Sequence, residues 1–346
     1  MESERLGSAS EDFLGRKLRD LRISVTDRCN FRCPYCMPAE IFGESYPFLP
    51  KKEILSFEEI SRLANLFVAL GVSKLRITGG EPLLRVELPR LIKTLAGLPG
   101  HPDLALTTNA YLLEANAEKL FSAGLRRITI SLDGCDEETF QAMTGRHADL
   151  SRVLRGINAA EKVGFSPLKI NCVVRKNVNQ HVILPMAEKF RGTGHILRFI
   201  EFMDVGTRNG WDLSQVVTAK EIVECLDKAY GLEALEPNYT GEVARRYRYA
   251  DGAGEIGIIA SVTAPFCGDC SRARITADGR LVTCLFSEEG FDLKTFLRTG
   301  AEDEEILEKI AGVWGLRRDR YSEERTHLTN LGRSPRSKIE MFQVGG

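Results

Sequence analysis

The chain has 346 residues, enough for one or two domains and a sizeable core. Hydrophobic residues at 43% and charged residues at 27% give a globular composition, which excludes a disordered chain. Its 47 Lys plus Arg against 48 Asp plus Glu leave a formal charge of −1, too little positive charge for a protein held to nucleic acid or anionic membrane by bulk electrostatics.

No apolar stretch reaches the roughly 18 residues of a membrane span. The N-terminal MESERLGSASEDFLGRKLRD is polar and mixed in charge, so a cytoplasmic location is expected. Short β-like runs then alternate with amphipathic segments. The runs are Leu21–Asp27, Lys74–Gly80, Leu104–Asn109, Arg127–Asp133, Lys169–Val174 and His195–Met203. Between the first two, Ser56-Phe57-Glu58-Glu59 has capping-box spacing. Phe57, Ile60, Leu63, Ala64, Phe67 and Leu70 then fall on one helical face before Gly71. Thr218-Ala219-Lys220-Glu221 opens a later helix in the same way. Successive βα units imply parallel strands joined by right-handed crossovers.

The strands have one apolar and one polar face. Leu21, Ile23 and Val25 oppose Arg22, Ser24 and Thr26; Leu75 and Ile77 oppose Lys74, Arg76 and Thr78. Leu104 and Leu106 oppose Thr107 and Asn109, and Ile128, Ile130 and Leu132 oppose Thr129, Ser131 and Asp133. In the fifth, Ile170, Cys172 and Val174 oppose Lys169 and Asn171. A doubly wound sheet would be apolar on both faces, and a closed barrel would fill its interior with Val, Ile and Leu. The expected α/β fold is therefore an incomplete (β/α)6 TIM-type barrel around a polar cavity. The sixth strand alternates poorly, and its facing does not follow from the pattern.

Beyond residue 230, Arg245–Tyr249, Ile256–Val262, Arg274–Thr276 and Arg280–Phe286 read as antiparallel strands, with Asp278-Gly279 turning the last pair. Helical segments near 291–299 and 302–313 and a polar basic tail follow. An antiparallel β/helical extension closing the cavity is expected, dividing the chain into 1–232 and 233–346.

Nine cysteines without an export signal point to metal or redox chemistry before disulfides. Cys29, Cys33 and Cys36 form one group, and Cys267, Cys270 and Cys284 another. Cys135, Cys172 and Cys225 stand alone and read as packing or loop residues. Three thiols from one loop can hold three irons of a [4Fe–4S] cluster and leave the fourth open. The alternative at each group is structural zinc, which wants a fourth ligand, and no cysteine or histidine close in sequence supplies one.

The spacing C-x-x-x-C-x-x-C after a first strand, with Tyr35 before the last cysteine, resembles the radical S-adenosylmethionine (SAM) enzymes. Gly79-Gly80-Glu81-Pro82 at the end of the second strand looks like that superfamily's methionine-binding motif, with glycines that permit close approach and a carboxylate at Glu81. Arg272-Ala273-Arg274 after the second cysteine group and the terminal Gly345-Gly346 narrow the resemblance to the GTP 3′,8-cyclases of molybdenum cofactor biosynthesis. Matching stretches cover nearly the whole chain after residue 20. One departure is Ala110, where the family usually has Gly.

This resemblance implies two [4Fe–4S] clusters, held by Cys29, Cys33 and Cys36 and by Cys267, Cys270 and Cys284. It implies SAM at Tyr35, Gly80, Ser131 and Met203, and GTP at Arg22, Arg76, Thr107, Lys169, Arg272 and Arg274. A radical from SAM would take hydrogen from ribose C3′, and C3′ would attack guanine C8 to give a 3′,8-cyclised GTP. Gly345 and Gly346 would enter the active site as a flexible tail. The charge pattern supports the substrate independently, because cations on inward strand faces of a near-neutral protein suit a triphosphate. Arg198 is a further candidate. The implied partners are GTP, an electron donor and a downstream pyranopterin-forming enzyme, with a homodimer as candidate assembly and neither nucleic acid nor membrane. The rivals are another two-cluster radical SAM enzyme acting on a peptide or different small molecule, and a zinc-stabilised binding module without catalysis.

Overall fold

The computed structural model describes residues 10–330 and 337–345. Six parallel strands run in chain order as β1 (Asp20–Ser24), β2 (Lys74–Thr78), β3 (Asp103–Thr108), β4 (Arg127–Ser131), β5 (Lys169–Val174) and β6 (Ile196–Glu201). Their outward residues, among them Leu21, Ile23, Leu75, Ile77, Ile130, Ile170 and Phe199, are at most 1% exposed. The covering helices are α1 (Phe57–Ala69), α2 (Leu88–Ala96), α3 (Ala117–Ser122), α4 (Glu137–Thr144), α5 (Leu150–Lys162), α6 (Ile183–Phe190) and α7 (Ala219–Tyr230).

Helix α1 starts where its sequence directs. The Ser56 hydroxyl accepts from Glu59 N–H at 3.1 Å, and the Glu59 carboxylate accepts from Ser56 N–H at 2.6 Å. It buries Ile60, Leu63, Ala64, Leu66 and Phe67, each side chain contributing about 1.5–3 kcal/mol for the larger ones. Thr218 and Glu221 form the same reciprocal cap on α7.

The remaining strands are β7 (Leu232–Leu235), β8 (Arg245–Tyr249), β9 (Glu255–Ile259), β10 (Arg272–Ile275), β11 (Arg280–Val282) and β12 (Phe291–Asp292). All twelve form one open sheet, ordered β12-β11-β10-β1-β2-β3-β4-β5-β6-β9-β8-β7. The expectation of purely antiparallel strands beyond residue 230 needs correction. Strand β9 pairs parallel to β6 and β10 parallel to β1, so the parallel arc continues past both ends of the first six strands. Only the β7–β8, β8–β9, β10–β11 and β11–β12 pairings are antiparallel. Connectivity explains this: α7 returns the chain to the starting edge, so β7 runs upward, β8 down and β9 up again beside β6. The sheet thus crosses the 232/233 position without a break.

Four helices follow or close the chain: α8 (Leu293–Arg298), α9 (Asp303–Gly315), α10 (Tyr321–Asn330) and α11 (Met341–Val344). Among the described residues, no helix is long and apolar enough to cross a membrane.

Candidate active site

The inward strand faces surround a cavity of about 480 Å³. Arg22, Arg76, Thr107, Lys169, Arg272 and Arg274 all line it, with Tyr35, Met203, Cys267, Cys270 and Cys284. Arg198 lines it too. On β6, Leu197 and Phe199 point outward and Arg198 and Ile200 inward. The sequence pattern was obscure because Glu201, in phase with the outward Leu197 and Phe199, is polar and wholly buried at the edge of the cavity. Its carboxylate accepts from the N–H groups of Ala219, Val262 and Thr263 and from the Thr263 hydroxyl, all at 2.5–2.9 Å.

The cations are crowded and desolvated. Burial and then Arg198, Arg127 and Arg76 bring the Lys169 ammonium down to about 8. Burial and Arg76 bring Arg198 to about 9, and burial and Arg272 bring Arg274 to about 10. Arg22 is pulled far below its ordinary value by burial and then by Arg274. The Nε–H groups of Arg22, Arg76 and Arg274 find no partner among the described residues. Arg76 is aimed by the hydroxyls of Thr107 and Thr129, each 3.2 Å from its Nη1, and Arg198 by Asn171 at 2.9 Å. A nest of buried guanidiniums with open donors is a receptor for a multiply charged anion.

The first cysteine group sits in the loop beyond the C-terminal end of β1, where Cys36 and Met37 N–H both bond the Cys33 carbonyl. Arg32, unnoticed in the sequence, pins this loop by donating to the carbonyls of Phe42, Cys29 and Phe31 at 2.6–2.7 Å. Burial and then Glu81 push the Cys29 thiol up to about 12, and burial and the neighbouring thiols push Cys33 and Cys36 up as well. The Tyr35 hydroxyl donates to Asp133 at 2.6 Å, and burial raises Asp133 to about 6.

The glycine motif also serves the chain's own packing. A Cβ on Gly80 would collide with the Arg28 carbonyl, and one on Gly79 would meet the Thr26 carbonyl at 2.8 Å. Gly80 N–H bonds Thr26 and Glu81 N–H bonds Arg28. The glycines therefore admit the chain's own first cysteine loop. Glu81 is 1% exposed, and its carboxylate accepts from the Thr108 hydroxyl and from Asn109 and Leu83 N–H, so it braces the strand ends instead of facing the cavity. Gly80, Ser131, Cys29, Cys33 and Cys36 do not line the main cavity; they lie at or beyond the C-terminal strand ends.

The C-terminal segment reaches this end. Phe342 packs edge-on against Phe42, at 5.0 Å between centroids, and near Tyr46 and Phe48, beside Cys29 and Cys36. Gly345 is buried with φ 67°, and a Cβ there would collide with Thr78. Met341 lines the cavity. Gly346 lies outside the described residues. Lys338 anchors the segment, donating to Asp204 Oδ2 at 2.7 Å, to the Asp204 carbonyl at 2.9 Å and to Tyr321 Oη at 2.9 Å.

The second cysteine group lies at the opposite strand ends. Cys267 and Cys270 precede β10, which runs beside β1, and Cys284 follows β11. Arg16 donates to the Cys267 carbonyl at 2.8 Å and Arg317 to the Cys270 carbonyl at 2.7 Å; Asp12 holds both guanidiniums. Burial pushes the Cys270 thiol up, but Arg272 and Arg317 outweigh it and bring it to about 6. Arg272 Nη2 donates to Cys270 Sγ at 3.2 Å.

All six cysteines are free of disulfides. Among the described residues, no three His, Cys, Asp or Glu side chains converge to hold a single metal ion. Triads of half-buried thiols with no fourth ligand among the described residues fit the corners of an iron–sulfur cluster better than a tetrahedral zinc site.

The sequence matches the Radical SAM superfamily over residues 23–190 and Molybdenum Cofactor Synthesis C over 195–323. It is 50% identical over 337 residues to a "GTP 3′,8-cyclase" of Staphylococcus haemolyticus, covering 97% of this chain and 98% of that one. The chain belongs to the GTP 3′,8-cyclase family. A second member, from Acidothermus cellulolyticus, is 50% identical over 339 residues, covering 97% of this chain and 94% of that one. In fold, the chain resembles Streptococcus suis SuiB, solved bound to S-adenosylmethionine, with a TM-score of 0.57 over 90% of this chain and 68% of that one at 14% identity. Family membership brings SAM and iron–sulfur clusters as cofactors.

Proposed function

We propose that the protein cyclises GTP between ribose C3′ and guanine C8, an early step of molybdenum cofactor biosynthesis, in the cytoplasm. The observation that carries the reading is the cavity itself: buried cations with open donors, running from the second cysteine group toward Tyr35 and Met203. On this reading Cys29, Cys33 and Cys36 hold one cluster and Cys267, Cys270 and Cys284 the other. Tyr35, Gly80, Ser131 and Met203 bind SAM. When bound, SAM and its cluster supply a hydrogen-abstracting radical.

The chain's own residues do the rest. Arg22, Arg76, Lys169, Arg198 and Arg274 neutralise the triphosphate, and Thr107 holds the Arg76 fork in its working orientation. Arg272 fixes Cys270, and with it the base end of the cavity. The buried walls and the Met341–Gly345 segment shield the site from water. Residues 1–232 would carry the radical-generating part and 233–346 the second cluster and tail. The reaction also requires a one-electron donor and a later enzyme that consumes the cyclic product.

An anaerobic assay with reductant, SAM and GTP deuterated at C3′ tests this. Deuterium in 5′-deoxyadenosine together with a cyclised GTP isomer is expected. Cleavage of SAM without deuterium transfer or GTP product would keep the radical chemistry and remove GTP as substrate.

A further inference from the structure

The cavity is rich in hydrogen-bond donors, yet guanine is itself a donor at one edge, through its exocyclic 2-amino group. That edge needs an acceptor. Four carboxylates line the cavity: Asp20, Asp103, Glu201 and Asp319. Asp103 is paired with Arg127. Both oxygens of Glu201 are taken by Ala219, Val262 and Thr263. Asp319 accepts from Thr283 at 2.7 Å and from Arg317 at 3.3 Å.

Asp20 differs. Its Oδ1 is buried and has no hydrogen-bond partner among the described residues. It shares the inward face of β1 with Arg22, two residues on, while Leu21 between them is fully buried on the outer side. Its register partner on β10 is Arg272, and its own N–H bonds the Ser271 carbonyl at 3.1 Å, one residue from Cys270. The open acceptor therefore stands at the end of the cavity formed by the second cysteine group.

We propose that Asp20 is a specificity-determining residue, its carboxylate accepting the 2-amino N–H of guanine; this rests on the GTP reading above. The competing role is a counter-charge. Asp20 favours the charged forms of Arg22, Arg76, Arg272 and Arg274. The two roles have opposite signs. Removing a mere counter-charge makes the cavity more positive and tightens every triphosphate alike. Removing an acceptor for guanine loosens GTP and leaves inosine triphosphate, which lacks the 2-amino group, unharmed.

The experiment is calorimetric binding of GTP, inosine triphosphate and ATP to the anaerobic holoenzyme, for the unmodified chain, Asp20→Asn and Asp20→Ala. The unmodified chain should hold GTP more tightly than inosine triphosphate by roughly 10- to 100-fold, the value of a hydrogen bond to a charged group. In Asp20→Ala the gap should shrink to within about threefold, with Asp20→Asn between. Retention of the gap in Asp20→Ala, or a uniform change for all three nucleotides, overturns the assignment. So does equal binding of GTP and inosine triphosphate to the unmodified chain, a comparison that needs no variant to fold. If GTP does not bind the unmodified chain at all, the substrate reading falls first and takes this assignment with it.

Discussion

Replacing Lys338 with Met should release the C-terminal segment while leaving the barrel folded. The ammonium uses all three protons, on Asp204 Oδ2, the Asp204 carbonyl and Tyr321 Oη, and its side chain is 6% exposed. Methionine keeps the volume and removes the charge. Leaving a buried charge wholly unpaired costs about 3–5 kcal/mol. Asp204 here keeps Arg325 at 2.8 Å and Tyr321 at 2.5 Å, so a loss of about 2–3 kcal/mol is expected. Among what remains on the segment are one backbone bond from Ile339 N–H to Ser287, the Glu340–Thr207 contact, the Phe342 aromatic packing and the buried Val344. Native-state hydrogen exchange is the assay. The Ile339 and Gly345 amides should exchange roughly 30- to 150-fold faster, and amides of β2 and β5 should not change. Unaltered tail amides would refute the clamp, as would an equal acceleration throughout the core. The clamp also has a pH signature. Burial raises the Asp204 carboxyl, but Arg325 and Lys338 outweigh it and hold it below the usual range. Its contribution is thus present above the ordinary aspartate range and is lost only as the pH falls through that lowered value.

Lys169 titrates near 8 in the free protein, so kcat/KM for GTP should fall as the pH rises past 8, and Lys169→Arg should abolish that decline; a pH profile unchanged by the variant would count against it. In the metal-free chain, iodoacetamide at neutral pH should label Cys270, near 6, well before Cys29, near 12; peptide mapping reads the order, and preferential labelling of Cys29 would contradict the electrostatics described above. Burial raises Glu81 to about 7 against its three hydrogen bonds. Its stabilising contribution is full below the ordinary glutamate range and disappears as the pH rises through 7, an effect of about 2–3 kcal/mol. Urea unfolding at pH 5 and pH 8 should show this slope in the unmodified chain. The slope should fall by about that amount in Glu81→Gln, leaving the share of other buried groups such as Asp133, although that variant is weaker at each pH because its amide faces a donor.

Much of this was legible in the sequence because strand alternation reports burial directly. Leu21 and Ile23 against Arg22 already distinguished a polar-lined arc from a doubly wound sheet, and the Ser56 and Thr218 caps named the helix starts. Pairing direction was not legible, since β9 and β10 have the same composition in either orientation and connectivity alone decides it. Asp12, Arg16, Arg32 and Arg317 were invisible for another reason. The three arginines donate to backbone carbonyls of the cysteine loops, and Asp12 holds two of those guanidiniums; such contacts leave no pattern in the side chains they support. Arg16 and Arg317 are separated by most of the chain. Ala110 carried a faint signal: it adopts a left-handed φ of 59°, a conformation that glycine enters without strain.

The two cysteine groups flank adjacent parallel strands, one after the end of β1 and the other before the start of β10. Five residues of β1 at about 3.3 Å each contribute about 17 Å of strand to the path between them. Loops can lengthen or shorten without changing that figure, because hydrogen-bonded strands cannot stretch. Strand length therefore fixes part of that separation, and adding one pleat to both strands would move the two cysteine groups apart by about 7 Å. A chain altered in this way would keep its cysteines, its cations and its fold, and on the proposed reading its two cysteine groups would no longer reach one nucleotide together.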